Sequence, residues 1–341
     1  AGAGADAVPA VSAACRYVSE AALQAPPEHL DAAVRLMVAS GPEMREVAPG
    51  ARAGLHPLLI PLARDNESGA VTGLLRWPSA PDGSNGASAS LPVVRTAQGG
   101  ATLELLALSA REYAHAALAR ADAEGDEAYA AATAAAGADA AQLYAAGDVA
   151  AAALPHMDAY LTRHVGKFPD AIEGLARGHF ARGDEISGLT AAELPTKRMW
   201  FPGFARPYAF LAEVCAEHDR PLEARDMARA ALRLPWWSLG GSEFRRVAEL
   251  AQYGSAEEVT AEGVLERIAA ERAAEEGELA TQPEPEAAAL QAAHELMCVV
   301  AARDGGAWTE DEVTRLAGLL EDAACPGAAH FVAEWTGKGE A

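Results

Sequence analysis

Apolar residues in this chain recur mostly at the spacing of amphipathic α-helices. Between residues 29 and 39 they return every three or four positions, and residues 11–23 follow the same pattern. Such spacing places the apolar side chains on one face of a helix, where they can pack against a core. Almost every segment beyond the first third of the chain repeats this pattern. We therefore predict an α+β chain that is mostly α-helical.

One stretch near the N-terminus departs from helical spacing. Turn-forming residues separate four short apolar runs there: 55–62, 70–77, 91–96 and 101–106. Short apolar runs bounded by Gly, Asn and Asp are typical of β-hairpins, so we predict a small antiparallel sheet of about four strands. Prolines in the first run place it at an edge, because proline cannot donate a ladder hydrogen bond. The Ser- and Gly-rich segment 79–90 is predicted to be a flexible loop.

Two helices in the middle of the chain, 207–217 and 221–234, are predicted to form a hairpin. Bulky and small residues occupy regular positions along it: Tyr208, Leu211, Ala212, Ala224, Ala228, Ala231 and Pro235. This pattern resembles the tetratricopeptide (TPR) repeat, a helical hairpin of about 34 residues. Cys215 departs from it, since the family prefers Tyr there. A helix predicted at 168–183 is a candidate for half of a degenerate neighbouring repeat. The resemblance implies an α-solenoid that binds other proteins.

The C-terminal third is predicted to be a series of charged helices. Their ranges are 242–253, 256–279, 286–303, 309–324 and 328–335. Thr309 and Glu312 have the spacing of a capping box, in which each side chain bonds the backbone of the other residue. A series of antiparallel helices in this part is consistent with either a solenoid or a bundle.

Composition and charge divide the chain into three predicted domains. Residues 1–107 hold helices and the small sheet, 108–240 the alanine-rich helices and the TPR-like hairpin, and 241–341 an acidic helical region. The net charge of the chain is −22, and residues 240–341 carry 21 acidic against 7 basic residues. Such an acidic block suits solubility or a basic protein partner, although helix faces that only contact solvent would show the same charge pattern. Because this charge would repel a phosphate backbone, no nucleic acid is expected.

The residue usage favours an organelle protein in a reducing compartment. Alanine is abundant and lysine occurs only three times against many arginines, which indicates a GC-rich genome such as that of a green alga or an actinobacterium. Four cysteines in so long a chain do not suggest a disulfide scaffold. The start lacks Met and a signal-like stretch, so we expect a processed or trimmed chain. No transmembrane segment is expected.

Motifs for chemistry are sparse. The sequence contains no P-loop, dinucleotide, zinc-protease or hydrolase signature, so we predict no cofactor, no metal and no catalytic residues. Glu112 and His115 have the spacing of one half of a di-iron motif, but the rest of that motif has no counterpart. We therefore expect a protein that is not an enzyme.

An aromatic and basic segment before the hairpin, with a Trp pair after it, is the candidate partner-binding site. Its residues are Lys197, Arg198, Trp200, Phe201, Phe204, Arg206, Trp236 and Trp237. Aromatic and Arg side chains dominate binding hot spots. The competing interpretation is that these aromatics form the core of the hairpin while the basic residues solvate its edge.

The preferred hypothesis is a non-enzymatic scaffold or assembly factor that binds a protein partner, either a basic protein or a subunit of a membrane complex. For an algal source, the resemblance implies a plastid-imported assembly factor for a chloroplast photosynthetic complex, located in the stroma; otherwise the cytoplasm is expected. Two alternatives remain open. One is a structural subunit of a large organelle complex, and the other is an enzyme with a site between the small sheet and the helices.

Overall fold

A computed structural model describes residues 12–78, 91–96, 100–239, 241–277, 283–303 and 305–335. In these ranges helices predominate and a small antiparallel sheet lies near the N-terminus, so the predicted α+β, mostly α class is confirmed. The predicted loop at 79–90 and the first eleven residues, expected to begin a processed chain, lie outside the described residues. None of the described helices combines the length and apolar character needed to cross a bilayer.

Sixteen α-helices occur in the described residues. They are α1 (Ala13–Glu20), α2 (Leu30–Ala39), α3 (Ala110–Glu124), α4 (Asp126–Ala136), α5 (Ala140–Leu143), α6 (Asp148–Ala151), α7 (Met157–Tyr160), α8 (Pro169–Ala181), α9 (Glu185–Lys197), α10 (Arg206–Glu217), α11 (Pro221–Leu232), α12 (Gly241–Leu250), α13 (Ala261–Glu276), α14 (Pro285–Ala301), α15 (Glu310–Asp322) and α16 (Pro326–Ala333). Single turns of 3-10 helix lie at Gly137–Asp139 and Trp236–Ser238, and a π-helical turn at Leu161–Val165.

The sheet has five strands where about four were predicted. The strands are β1 (Met44–Glu46), β2 (Leu59–Asp65), β3 (Val71–Leu75), β4 (Val93–Thr96) and β5 (Leu103–Ala107), and they pair in chain order. The short β1 pairs with Ala63–Asp65, so β2 is not the outermost strand and the prediction that the first apolar run forms an edge was wrong for the strand order, although residues 59–61 lie beyond the end of β1. Pro61 lies beyond the end of β1 and beside the register shift with β3 between Pro61 and Ala63, and strands tolerate proline at such positions.

Helices cover both faces of the sheet, because its strands alternate apolar side chains between two cores. Ile60 and Leu74 pack on one face, in a cluster with residues of α2 and α3. Leu59 and Leu75 pack on the other face, in a cluster with residues of α14, α15 and α16. Since successive side chains of a strand point to opposite faces, nearly continuous apolar runs are what a doubly covered sheet requires.

The C-terminal helix α16 packs into the core of the N-terminal region. Arg52 Nη1 donates to the carbonyl of Phe331 at 2.6 Å, and the Arg52 guanidinium lies 3.6 Å from the centre of the Phe331 ring. Trp335 Nε1 donates to the carbonyl of Leu55 at 3.0 Å. Residues almost 280 positions apart therefore share one buried interior.

The middle of the chain is a stack of helical hairpins. Helices α8 and α9 pair, α10 and α11 pair, and α9 packs on α10 as α11 packs on α12. The predicted hairpin corresponds to α10 and α11, and α8 matches the helix predicted at 168–183, whereas α9 was not predicted. Small residues such as Ala212 and Ala228 are fully buried between the helices, which lets the backbones approach closely.

Candidate functional site

Four of the eight residues predicted to bind a partner lie in the core. Phe201, Phe204, Trp236 and Trp237 are each exposed by 4% or less. Trp237 contacts the rings of Trp77 and Phe204, and Trp236 stacks on a Phe of α12 with ring centres 4.6 Å apart. Phe201, Phe204 and Trp237 pack with residues of the sheet, whereas Trp236 packs among the hairpin helices and α12. Trp236 and Trp237 are therefore not available to a partner, and Phe201 and Phe204 reach open space only in the cleft described below.

Three of the eight lie at the surface near the end of α9. Lys197 and Arg198 are exposed, and Lys197 forms an ion pair with Glu193 one turn earlier. Trp200 is half-buried, and Lys167 Nζ lies 5.0 Å from the centre of its ring, a cation–π distance. Partner binding by these three residues stays a prediction.

Arg206, the eighth residue, is enclosed by three carboxylates. Its Nε and Nη2 atoms bond both oxygens of Glu173 at 2.8 Å each, and Nη1 lies 3.4 Å from Glu213 Oε1 and contacts Glu243 Oε1. Glu173 belongs to α8, Glu213 to α10 and Glu243 to α12. We call these four residues the Arg206 cluster. It ties three helices together, and a bidentate Arg–carboxylate pair is the strongest form of this contact.

Burial sets the protonation behaviour of the Arg206 cluster. Burial alone would lower the pKa of Arg206, but the hydrogen bonds and charge of Glu173, with the charges of Glu243 and Glu213, outweigh it and raise that pKa. Burial raises the pKa of Glu243 to about 7, against the opposing charge of Arg206. The cluster therefore holds a fixed cation and one carboxyl group that titrates near neutrality.

The raised pKa of Glu243 predicts a pH-dependent stability. Between pH 4.5, its ordinary pKa, and about pH 7, the folded chain keeps a proton that the unfolded chain has lost. The stabilisation is therefore full below pH 4.5 and is lost as the pH rises to about 7. Since glutamine stays neutral, the Tm of Glu243→Gln minus that of the wild type should rise between about pH 5 and about pH 8 in thermal melts. A constant or falling difference would contradict the raised pKa.

The Arg206 cluster lies at one wall of a cleft of about 950 Å³. The strands of the sheet, above all β5, form one wall, and α8, α10 and α12 form the other. We call it the sheet-edge cleft. Its charged lining residues are Asp65, Arg95, Glu104, Asp170, Glu173, Arg206 and Glu243. Of these residues only Arg206 was predicted to belong to a site, because acidic residues in a sequence are indistinguishable from solvated helix and strand positions.

The apolar part of the cleft comes from β5 and from the segment before α10. Leu103, Leu105, Phe201 and Phe204 line it. Glu104 points away from these leucines, is 59% exposed and forms an ion pair with Arg95 at 2.7 Å. The cleft thus combines an apolar floor with a predominantly acidic rim.

The chemistry of the sheet-edge cleft suits binding better than catalysis. Among the described residues that line it there is no histidine, cysteine or lysine. The hydroxyl of Ser238 donates to the Pro235 carbonyl at 2.8 Å and accepts from the Ala205 amide at 2.9 Å, so it is already engaged. Burial raises the pKa of Tyr113, which keeps its phenol neutral. No group of three metal-ligating side chains occurs in the described part of the chain.

The other pairs singled out in the sequence are structural. Glu112 Oε2 accepts from the amide of Leu108 at 3.2 Å, at the start of α3, while the His115 ring packs against Tyr144 and Tyr160. Cys215 is buried between helices.

Comparison with known proteins identifies the family. Residues 12–164 match the family model described as PAB N-terminal, and residues 169–254 match that described as PAB middle domain. The chain is 35% identical over 317 residues to the Arabidopsis thaliana Protein IN CHLOROPLAST ATPASE BIOGENESIS, chloroplastic, an alignment that covers 93% of this chain and 89% of that protein. No solved structure matches the chain significantly.

Identity at this level over nearly the whole of both chains places this protein in the chloroplast, as the sequence analysis expected. The relative's name describes biogenesis and not a reaction, in line with the expectation that the chain is not an enzyme. The chain belongs to the family of proteins built from a PAB N-terminal and a PAB middle domain.

Proposed function

We propose that this protein is a non-enzymatic assembly factor for the chloroplast ATPase. The observation that carries the proposal is the 35% identity, over 93% of the chain, with a protein named for chloroplast ATPase biogenesis. The lining of the sheet-edge cleft supports it, because its described residues include no histidine, cysteine or lysine. The proposed compartment is the stroma, where the protein would encounter unassembled subunits of the ATPase.

The proposed way of working is that of a scaffold. In support, the first residues of α8, α10 and α12 lie 37 and 35 residues apart, close to the repeat length of about 34 residues in TPR proteins. Such a stack holds several hairpins in a fixed arrangement and leaves their outer surfaces for a partner. The TPR-like character of α10 and α11 is therefore part of the proposal.

Disruption of the gene in the organism that encodes this chain tests the function. We expect assembled chloroplast ATPase to fall several-fold on native gels, with the other photosynthetic complexes near their normal amounts. Re-expression of the wild-type chain should restore it. Normal ATPase accumulation in the disrupted strain would contradict the proposal. Co-migration of the protein with the mature complex in stoichiometric amount would favour the alternative of a structural subunit.

A further inference from the structure

We infer that the sheet-edge cleft binds a basic, extended segment of a partner protein, which adds to the outer side of β5 as a sixth strand. The inference rests on the proposed function, since it assigns the place where an assembly factor would hold its partner.

The first support is the open edge of β5. This strand is last in the order of the sheet, and it pairs only with β4. Apart from the ladder with β4, no hydrogen bond joins the backbone of residues 102–106 to another described residue. These five residues all line the cleft. An unpaired strand edge is a template for another extended chain, and peptide recognition by strand addition uses this geometry.

The side chains of β5 specify the pattern of the added strand. Leu103 and Leu105 lie on the side of the sheet that faces Phe201 and Phe204, and Glu104 lies on the opposite side. Because side chains alternate along a strand, an added strand would place every second residue against the apolar floor. The residues between them would lie beside Glu104. The occupant that fits alternates apolar and basic residues.

The charges of the cleft favour a basic occupant. Its described lining carries five carboxylates, Asp65, Glu104, Asp170, Glu173 and Glu243, against two arginines. Both arginines are already paired within the lining, Arg95 with Glu104 and Arg206 with Glu173, and Arg120 outside the lining pairs with Asp170 at 2.9 Å. Asp65 and Glu243 are the carboxylates left over. The surplus is negative, and at an open cleft it would steer positively charged segments inward and repel acidic ones.

A labelled peptide tests the inference directly. The probe is the eight-residue peptide (Val-Lys)4 carrying fluorescein, titrated with the full chain at low salt and followed by fluorescence anisotropy. We expect saturable binding that weakens with added salt, because part of the attraction is between exposed charges. The peptide (Pro-Lys)4 has the same charge but lacks half of the amide donors, and we expect it to bind about tenfold more weakly.

Charge reversal locates the site. Glu104 and Asp170 are 59% and 62% exposed, so replacing both by lysine should leave the fold intact. We expect Glu104→Lys/Asp170→Lys to bind (Val-Lys)4 about tenfold more weakly. The control Glu257→Lys/Glu286→Lys changes the charge equally at exposed positions outside the cleft and should keep most of the affinity.

Three outcomes would overturn the inference: equal binding of both peptides, equal loss of affinity in both double variants, or no saturable binding of (Val-Lys)4. A homodimer seen by light scattering, and dissociated by Glu104→Lys/Asp170→Lys, would also overturn it, because a second copy would then occupy β5. The proposed function has a separate readout. If re-expression of the Glu104→Lys/Asp170→Lys variant restores the assembled ATPase in the disrupted strain, the sheet-edge cleft is not the partner-binding site. The proposed assembly function would be unaffected by that result.

Discussion

Arg206→Ala is expected to lower the free energy of unfolding by about 3 kcal/mol, measured by urea denaturation. Only 23% of the Arg206 side chain is exposed, and its removal leaves Glu173 and Glu243 without a cation, while Glu213 keeps only Arg177 at 3.9 Å. Uncompensated charge that is partly withdrawn from water accounts for most of the loss. Helices α8, α10 and α12 would also lose the group that joins them.

A matched control separates the cluster from an ordinary surface pair. Arg246 is 54% exposed and pairs with Glu249 one turn away at 2.7 Å, so Arg246→Ala should change stability by less than about 0.5 kcal/mol. Adding Glu173→Gln to Arg206→Ala should recover part of the lost stability, because the uncompensated charge of Glu173 disappears. Equal effects of the two Arg substitutions would show that the Arg206 cluster behaves as if it were fully solvated.

Trp237→Ala is expected to cost about 4 kcal/mol of unfolding free energy, since it removes the largest side-chain type from a completely buried position. The indole lies 5.3 Å from the His56 ring, 5.5 Å from Trp77 and 6.2 Å from Phe204, measured between ring centres. The cavity would open where the sheet, the hairpins and α14 meet. Chemical denaturation with tryptophan fluorescence would measure the effect.

Trp200→Ala is the comparison for that loss. Trp200 is half-buried under Lys167, so its truncation should cost about 1 kcal/mol or less. If Trp200→Ala lowered the free energy of unfolding by much more than Trp237→Ala, the assignment of Trp237 to the core and of Trp200 to the surface would be wrong. The pair also tests the partner-binding prediction, because only Trp200 can be removed without disturbing the fold.

The helices were predictable because their signals are local. Thr309 and Glu312 bond each other's backbone at 3.3 and 3.1 Å, as their spacing predicts for a capping box. The small residues Ala212 and Ala228 likewise mark a close helix contact within one hairpin. Signals of this kind need only the neighbouring turn of the chain, and their outcome does not depend on the rest of the fold.

The errors concern pairings over long sequence distances. β1 has three residues, with the pattern Met44-Arg-Glu46, too short to show any alternation, so the edge of the sheet was assigned to the next strand. The aromatic and basic residues looked alike in the sequence, yet burial separates Trp237 from Trp200. That difference depends on His56, 181 positions away, and on α14. The acids of the sheet-edge cleft come from four separate segments and acquire a common role only when these meet.

The packing of α16 against Arg52 and Leu55 sets an order of events when the chain is made or refolded. One face of the sheet belongs to a cluster that also contains Val332 and Trp335, so part of this face stays uncovered until the C-terminal helices arrive. Contacts this distant in sequence form slowly, since a long loop must close first. An N-terminal fragment that lacks these helices would therefore expose apolar side chains of the strands and be prone to aggregate.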